Sequence, residues 1–355
     1  MIFSRGKIRN VPVFYMGNDK LDVVTDFLYL GLKLNYNNKL VVAQRDLCER
    51  ASRAMFMLLK KAKRLKLPVD LTIDLFDKTV LPVLTYGCEV WGFDISDMVT
   101  KLQLKFYKLI LKLKNSTPSL MVFGETGKYP VDVAIKTRML CFWFKLVSGE
   151  NACKLSSVVY RCLLNLYITN SHQNRYLQKV HSILNDIGLS NLWDFQGNME
   201  ISLSWFKQKI SRCLLDQFLQ SWYMHVDNDD IYRNYRMFKP VFCQEPFFTL
   251  LPDNYVISLT RFRTTNNALP VNQLRFNGVP RHERMCDKCT SRDVADEFHY
   301  LFVCPFFGES RKKFLPSRYV SRPNTLKFHQ LFSSNNKKLL LKLKHFIVRI
   351  SKDLK

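Results

Sequence analysis

Four residues late in the sequence have the types and spacing of a metal-binding set. They are Cys286, Cys289, His299 and Cys304, in the pattern Cys-x2-Cys-x9-His-x4-Cys. A Cys-x2-Cys turn can set two sulfurs against one ion, and a His and a Cys further along can complete a tetrahedron. Thiolate and imidazole ligands favour Zn²⁺ over the hard cations Ca²⁺ and Mg²⁺, so Zn²⁺ is the expected cofactor. Three buried cysteines beside a stray histidine are the plainer alternative, but four residues of ligand type seldom fall at such spacing. The surroundings are basic: Arg275, Arg281, Arg284, Lys288 and Arg292 before and within the set, Arg311, Lys312 and Lys313 after it.

The other chemistry on offer is phosphate binding. Lys101, Lys105, Lys108 and Lys112 recur at steps of four, three and four in a segment that reads as an amphipathic helix over 98–114. Such a stripe can track a nucleic-acid backbone, or it can be one face of a plain surface helix. Lys60, Lys61, Lys63 and Arg64 crowd the end of a helix expected over about 42–65. Cations suit a helix C-terminus, and these could also hold phosphates. Arg261 and Arg263 flank Phe262, and Arg275 precedes Phe276. Alternating Arg and Phe can stack on bases and pair with phosphates, which makes Arg261, Arg263 and Arg275 candidate contacts. Acidic groups offer less. Asp70, Asp74 and Asp77 share a helical face without a His, which reads as solvated. Gly124-x2-Gly127-Lys128 is too short for a phosphate-binding loop.

The elements that must position these residues are mostly helices. Val11–Tyr15 and Phe27–Leu32 read as short strands, separated by a turn at Met16-Gly17. Leu47, Ala51, Ala54, Leu58, Ala62 and Leu65 give the first helix its 3–4 spacing. Asp70 reads as the N-cap of the next helix, which Pro82 ends or kinks. Tyr86 and Trp91 flank Glu89 between glycines, as in a tightly packed corner. Residues 123–130 read as a loop and 131–147 as an apolar helix with Phe142, Trp143 and Phe144. Further helices over 151–225 have Trp193, Trp205 and Trp222 as core anchors, and an acidic break follows at 227–230. The segment 337–352 is an amphipathic helix. It could lie on a membrane, but docking on its own domain is the favoured reading.

Composition bounds the answer. The 355 residues, 47% hydrophobic, suffice for two or three domains with real cores. The net charge of +24 suggests a polyanionic partner, nucleic acid before an anionic membrane. No run approaches the roughly 18 apolar residues of a transmembrane helix, and no apolar segment follows the first charges as in a signal peptide. Ten cysteines without such a signal argue for reduced thiols, hence nucleus or cytoplasm rather than secretion. Cys48, Cys88, Cys141, Cys153, Cys162, Cys213 and Cys243 read as buried small hydrophobes.

Three stretches together resemble the C-terminal part of the reverse transcriptase of non-LTR (LINE-type) retrotransposons. The segment Met1–Lys7 followed by Phe27–Leu32 looks like the palm after the catalytic strand. Leu81-Pro-Val-Leu-Thr-Tyr-Gly-Cys-Glu-Val-Trp-Gly92 looks like the motif opening the thumb. Cys286, Cys289, His299 and Cys304, followed by Pro305, are similar to the family's zinc knuckle. The resemblance implies a fold that is mainly α with a small β element at the N-terminus, a helical thumb-like bundle and a small Cys2HisCys zinc-knuckle region. It implies a palm remnant at 1–40, a thumb-like domain at 41–150 and a helical connector at 151–254. A basic segment with the knuckle at 255–320 and an amphipathic helix at 321–355 complete it. One departure bears on function. The family's catalytic hairpin has an aromatic residue, any residue, then Asp-Asp, which with an upstream Asp holds two Mg²⁺. The one Asp-Asp pair here is Asp229-Asp230, in a polar break far downstream.

The expectation is therefore a non-catalytic nucleic-acid-binding fragment. Its expected partners are RNA or DNA and a full-length element-encoded polymerase, with no membrane. The alternative is a helical scaffold or interaction protein derived from a mobile element.

Overall fold

A computed structural model describes residues 13–37, 39–148, 154–169, 174–196, 201–267 and 269–354. Met1–Lys7, the start of the first expected strand and Cys153 lie outside them. The described chain is mainly helical, with a small β element near its N-terminus, as expected. β1 (Tyr15–Met16) pairs with β2 (Asp19–Lys20) around Gly17. β3 (Asp26–Tyr29) pairs antiparallel with β4 (Leu32–Asn35), Phe27 opposite Leu34. The strand expected over Phe27–Leu32 is thus a hairpin. Leu30 and Gly31 both take positive φ, 46° and 81°, the connection whose twist suits two antiparallel strands.

α1 (Val41–Leu65) buries Leu47, Ala51, Met55 and Ala62. Lys66 follows at φ 52°, and the Leu67 N–H donates to the Ala62 carbonyl at 2.9 Å, closing a Schellman-type end. α2 (Val69–Thr79) is not capped by Asp70, which lies in its first turn. Asp253 supplies the acceptor instead: its Oδ1 takes the Val69 N–H at 3.0 Å. α2 stops before Pro82, which sits in the first turn of α3 (Leu81–Leu84). With α4 (Cys88–Trp91) this makes the expected corner. Gly87 turns at φ 62°, and the fully buried Trp91 donates its indole N–H to the Tyr86 carbonyl at 2.9 Å. The Tyr86 hydroxyl donates to Leu30 at 2.6 Å.

α5 is Asp97–Ile110. The first half of the loop expected over 123–130 is helix, part of α6 (Ser119–Thr126), which Gly127 ends at φ 64°. α7 (Val131–Val147) has the expected bounds and buries Trp143 and Phe144. α8 (Leu155–Thr169), α9 (Arg175–Asp186), α10 (Asn191–Asp194) and α11 (Leu203–Asn228) follow. Trp222 is buried and Trp193 stacks on Trp143, but Trp205 is 46% exposed. Its neighbour Phe206 takes the inward position, since successive helical residues point about 100° apart.

The remainder comprises α12 (Arg233–Phe238), α13 (Phe247–Leu250), α14 (Asp253–Arg263) and α15 (Pro270–Phe276), then α16 (Gly308–Phe314), α17 (Ser317–Val320), α18 (Thr325–Phe332) and α19 (Lys337–Asp353). α19 buries Leu339, Leu343, Phe346 and Ile350 and packs on α14 and α16, so it docks on its own unit. Among the described residues no helix is long and apolar enough to cross a membrane.

The chain forms two compact units. One comprises Met1–Leu58, Leu75–Gln103 and Pro130–Gln217; the other comprises Leu59–Asp74, Leu104–Tyr129 and Phe218–Lys355. The first has a core around Trp143, Phe144 and Phe206. In the second, Met121, Trp222 and Tyr235 form one cluster, and the rings of Phe238, Phe262, Phe328 and Phe332 pack, mostly edge to face, in another. Of the scattered cysteines among the described residues, only Cys88 is buried. Cys48, Cys141 and Cys213 are half-buried, and Cys162 and Cys243 are exposed, contrary to expectation.

Candidate metal centre and basic surfaces

The four predicted ligands converge. One ligand atom from each of Cys286, Cys289, His299 and Cys304 lies within 4.8 Å of every other. The Cys286 and Cys304 sulfurs are 3.9 Å apart, and the Cys289 sulfur is 3.4 Å from His299 Nε2. A tetrahedral ion with sulfur ligands at about 2.3 Å places ligand atoms roughly 3.5–3.8 Å from one another. The donor set and the spacing both fit such an ion. All four corners would be protein ligands, which suits a structural metal, because a catalytic one keeps a position open.

Local structure explains the convergence. Met285 and Val294 form an antiparallel bridge, and the Cys286 N–H donates to the Asp293 carbonyl at 3.0 Å. This closes the loop that carries Cys289, with Arg292 turning it at φ 55°. His299 and Cys304 stand five apart. In an α-helix they would diverge by about 140°. Here His299–Val303 is a π-helical turn, and the Cys304 N–H donates to the His299 carbonyl at 2.7 Å. The wider turn brings both side chains to one side, in keeping with the habit of π-turns at functional positions.

Three supporting residues escaped the sequence reading. Arg311 stood there only as part of the basic surroundings. It is buried, donating from Nε to the Leu301 carbonyl at 2.7 Å and from Nη2 to the Cys304 carbonyl at 2.8 Å. It therefore closes the free carbonyls of the ligand-bearing turn. Asp296 accepts the His299 N–H at 2.9 Å, a capping role that an Asp three residues before the turn could have signalled. Asp293 lies 3.4 Å from His299 Nδ1. A carboxylate there holds Nε2 free for a metal.

Electrostatics differ among the ligands. Burial pushes the Cys304 thiol up to about 12 and raises Cys286 as well. Burial also opposes charge on Cys289, but hydrogen bonds from Ser291 and the neighbouring thiols bring it below its ordinary value. Burial lowers His299, favouring the neutral imidazole that ligates metal.

The candidate phosphate contacts fare unevenly. Lys60, Lys61, Lys63 and Arg64 are all exposed at the end of α1. In α5, Lys101 pairs with Asp97 at 3.1 Å, Lys105 is exposed, and Lys108 donates to the Asn115 carbonyl at 2.7 Å. Lys112 does not extend the stripe. α5 ends at Ile110, and Lys112 sits beyond it at φ 52°. Arg261 is exposed, but Arg263 is wholly buried and cannot reach a nucleic acid. Two residues apart on α14, the pair faces opposite ways. Arg263 bonds through Nε to Glu125 at 3.0 Å and through Nη2 to Glu245 at 2.8 Å, where Lys239 also pairs at 2.8 Å. Burial opposes charge on Glu245, yet Arg263 and Lys239 together hold its carboxyl below the usual range. Phe262 is buried against Phe238 and Phe332, so it offers no base a stacking face. Arg275 is exposed on α15.

No family model matches the chain, and no solved structure does. A stretch of 96 residues, 25% of this chain, is 32% identical to an uncharacterized transposon-derived protein of Caenorhabditis elegans. The match spans 33% of that protein, about a third of its length. This similarity supports a transposon origin.

Proposed function

We propose that this chain is a non-catalytic nucleic-acid-binding part of a mobile-element polymerase, resembling the C-terminal part of a LINE-type reverse transcriptase. The observation that carries this reading is the convergence of Cys286, Cys289, His299 and Cys304 at tetrahedral spacing within a strongly basic chain. Zn²⁺ would be held by these four residues and would supply a cross-link between the Cys286–Cys289 loop and the His299 turn. The protein's own groups do the binding: exposed cations such as Lys60, Lys61, Lys63, Arg64 and Arg261 meet phosphates, which confer affinity without sequence preference. What supports the non-catalytic part of this reading is that no Asp-Asp pair of this sequence matches the catalytic hairpin. Asp229-Asp230 is the one Asp-Asp pair, and it is engaged locally: Asp229 pairs with His225 at 3.0 Å and Asp230 with Arg233 at 3.1 Å.

The scaffold alternative draws support from the cations spent inside the fold, Arg263 and Lys239 above all. Two assays separate the readings. The chain should bind short single-stranded RNA and DNA and should not extend a primer on a template with Mg²⁺ or Mn²⁺. Failure to bind either nucleic acid favours the scaffold. Template-dependent extension by a preparation free of other polymerases would overturn the non-catalytic assignment.

A further inference from the structure

The second unit holds a cleft of about 440 Å³ whose walls include Arg233, Arg275, Arg281 and Arg284, with Asp230 and Asn234. Its size lies within the usual small-ligand range, but its lining is polar and cationic where such pockets are mostly apolar. Four guanidiniums face few acids. Arg233 pairs with Asp230 at 3.1 Å, and Arg281 with Asp296 at 2.7 Å. Among the described residues Arg275 and Arg284 have no carboxylate partner. Arg284 is held by neutral groups, Nε on the Val279 carbonyl at 2.7 Å and Nη1 on the Val271 carbonyl at 3.2 Å. Two positive charges are therefore left uncompensated in one concave place.

The walls are built to stay in position. Arg281 also donates to Asn234 Oδ1 at 2.9 Å. Beneath lies Glu297, fully buried and ringed by the side-chain amides of Asn234, Asn267 and Asn272. Its oxygens accept from these amides, and among the described residues it makes no ion pair with any of the four arginines. The cleft is also tied to the metal-ligand cluster. Asp296 holds Arg281 with one oxygen and the His299 N–H with the other, and the Ala295 N–H donates to the Arg284 carbonyl at 2.8 Å.

We propose that this cleft seats the terminal phosphate monoester of a nucleic-acid strand, an inference that rests on the nucleic-acid-binding reading. Arginine suits phosphate because its planar fork can make two parallel hydrogen bonds to the oxygens. An internal phosphodiester brings a single negative charge past the mouth of a concave site. A terminal phosphate carries close to two charges at pH 7, matching the two guanidiniums without partners. A strand end can also enter where a continuous backbone must pass across.

The test compares one short single-stranded RNA in three forms: 5′-phosphate, 3′-phosphate, and hydroxyls at both ends. Fluorescence anisotropy with the full chain reads the affinities. One phosphorylated form should bind about tenfold tighter than the hydroxyl form, as charge-assisted hydrogen bonds to a doubly charged group allow. Arg275→Gln, at an exposed position, should remove that preference. Arg233→Gln should lessen the same preference, and Arg53→Gln, exposed in the other unit, should leave it intact. Equal binding of all three RNAs, or a preference that survives both cleft substitutions, overturns the terminal-phosphate site while the nucleic-acid reading stands. No binding of any form overturns both.

Discussion

Two arginines on neighbouring helices of the second unit show how differently one side chain can be used. Arg263, at the end of α14, is sealed from solvent between Glu125 and Glu245, with the rings of Phe238, Phe247 and Phe332 within 6 Å of its guanidinium carbon. Arg275, on α15, is exposed at a cleft and has no carboxylate partner among the described residues. The first arginine is consumed by the fold, and the second remains available to a partner. A net charge of +24 does not distinguish them. What distinguishes them is whether an acid from elsewhere in the chain arrives beside the cation. Lys239 with Glu245, both buried, repeats the first case, and Arg284 beside Arg275 repeats the second.

The largest expected effect is on metal binding by Cys286, Cys289, His299 and Cys304, which follow the exposed case in the same unit. Reduced protein should carry about one Zn²⁺ per chain, and changing Cys286 and Cys289 to Ser should abolish it, because two of four ligands are lost. Metal analysis decides this: zinc-free wild-type protein, or unchanged zinc in the double variant, contradicts the assignment.

Next comes the contrast within α14. Arg263→Ala leaves Glu125 buried without its cation and Glu245 with Lys239 alone, and should cost about 3–5 kcal/mol of stability. Arg261→Ala, two residues away and exposed, should stay within about 0.5 kcal/mol. Denaturant midpoints of the two variants measure the difference. Similar midpoints would show that Arg263 is not the buried hub described.

A smaller, graded effect follows from the raised thiols. Cys304, pushed up to about 12, and Cys286, raised as well, are protonated in the metal-free site at pH 7 and must each lose a proton to ligate. Metal affinity should therefore rise with pH and fall as pH falls. The change should be about a hundredfold per pH unit near neutrality if both protons are released on binding. Cys289 lies below its ordinary value and so gives up its proton more readily than the other two thiols, and burial holds His299 below its own, toward the neutral imidazole that ligates metal. A metal affinity that is flat between pH 6 and 8, roughly the range where neutral-site titration is accessible, would contradict the thiol assignment.

How much of this could be read in the sequence depended on distance along the chain. The ligand set runs from Cys286 to Cys304, 18 positions apart, and its spacing alone announced it. α7 was legible to its ends, since Pro130 opens it and its apolar run continues to Val147. Arg263 was not legible, because its partner Glu125 lies 138 residues earlier, in a stretch whose glycines suggested a loop. Leu30-Gly31 was missed because the run of apolar residues around it looked like one strand. Lys112 was misplaced because the lysine spacing continued past the residue where the helix stops.

The central claim is that the exposed cations hold phosphates, and the salt dependence of RNA binding tests it most directly. Affinity of the full chain for a short single-stranded RNA should fall linearly on a log–log plot against salt. Changing Lys60, Lys61, Lys63 and Arg64 to Gln should flatten the slope by about three units, at roughly 0.7–0.9 per lost phosphate contact. A slope that is identical in the parent and the fourfold variant, or binding that is insensitive to salt, would contradict the account.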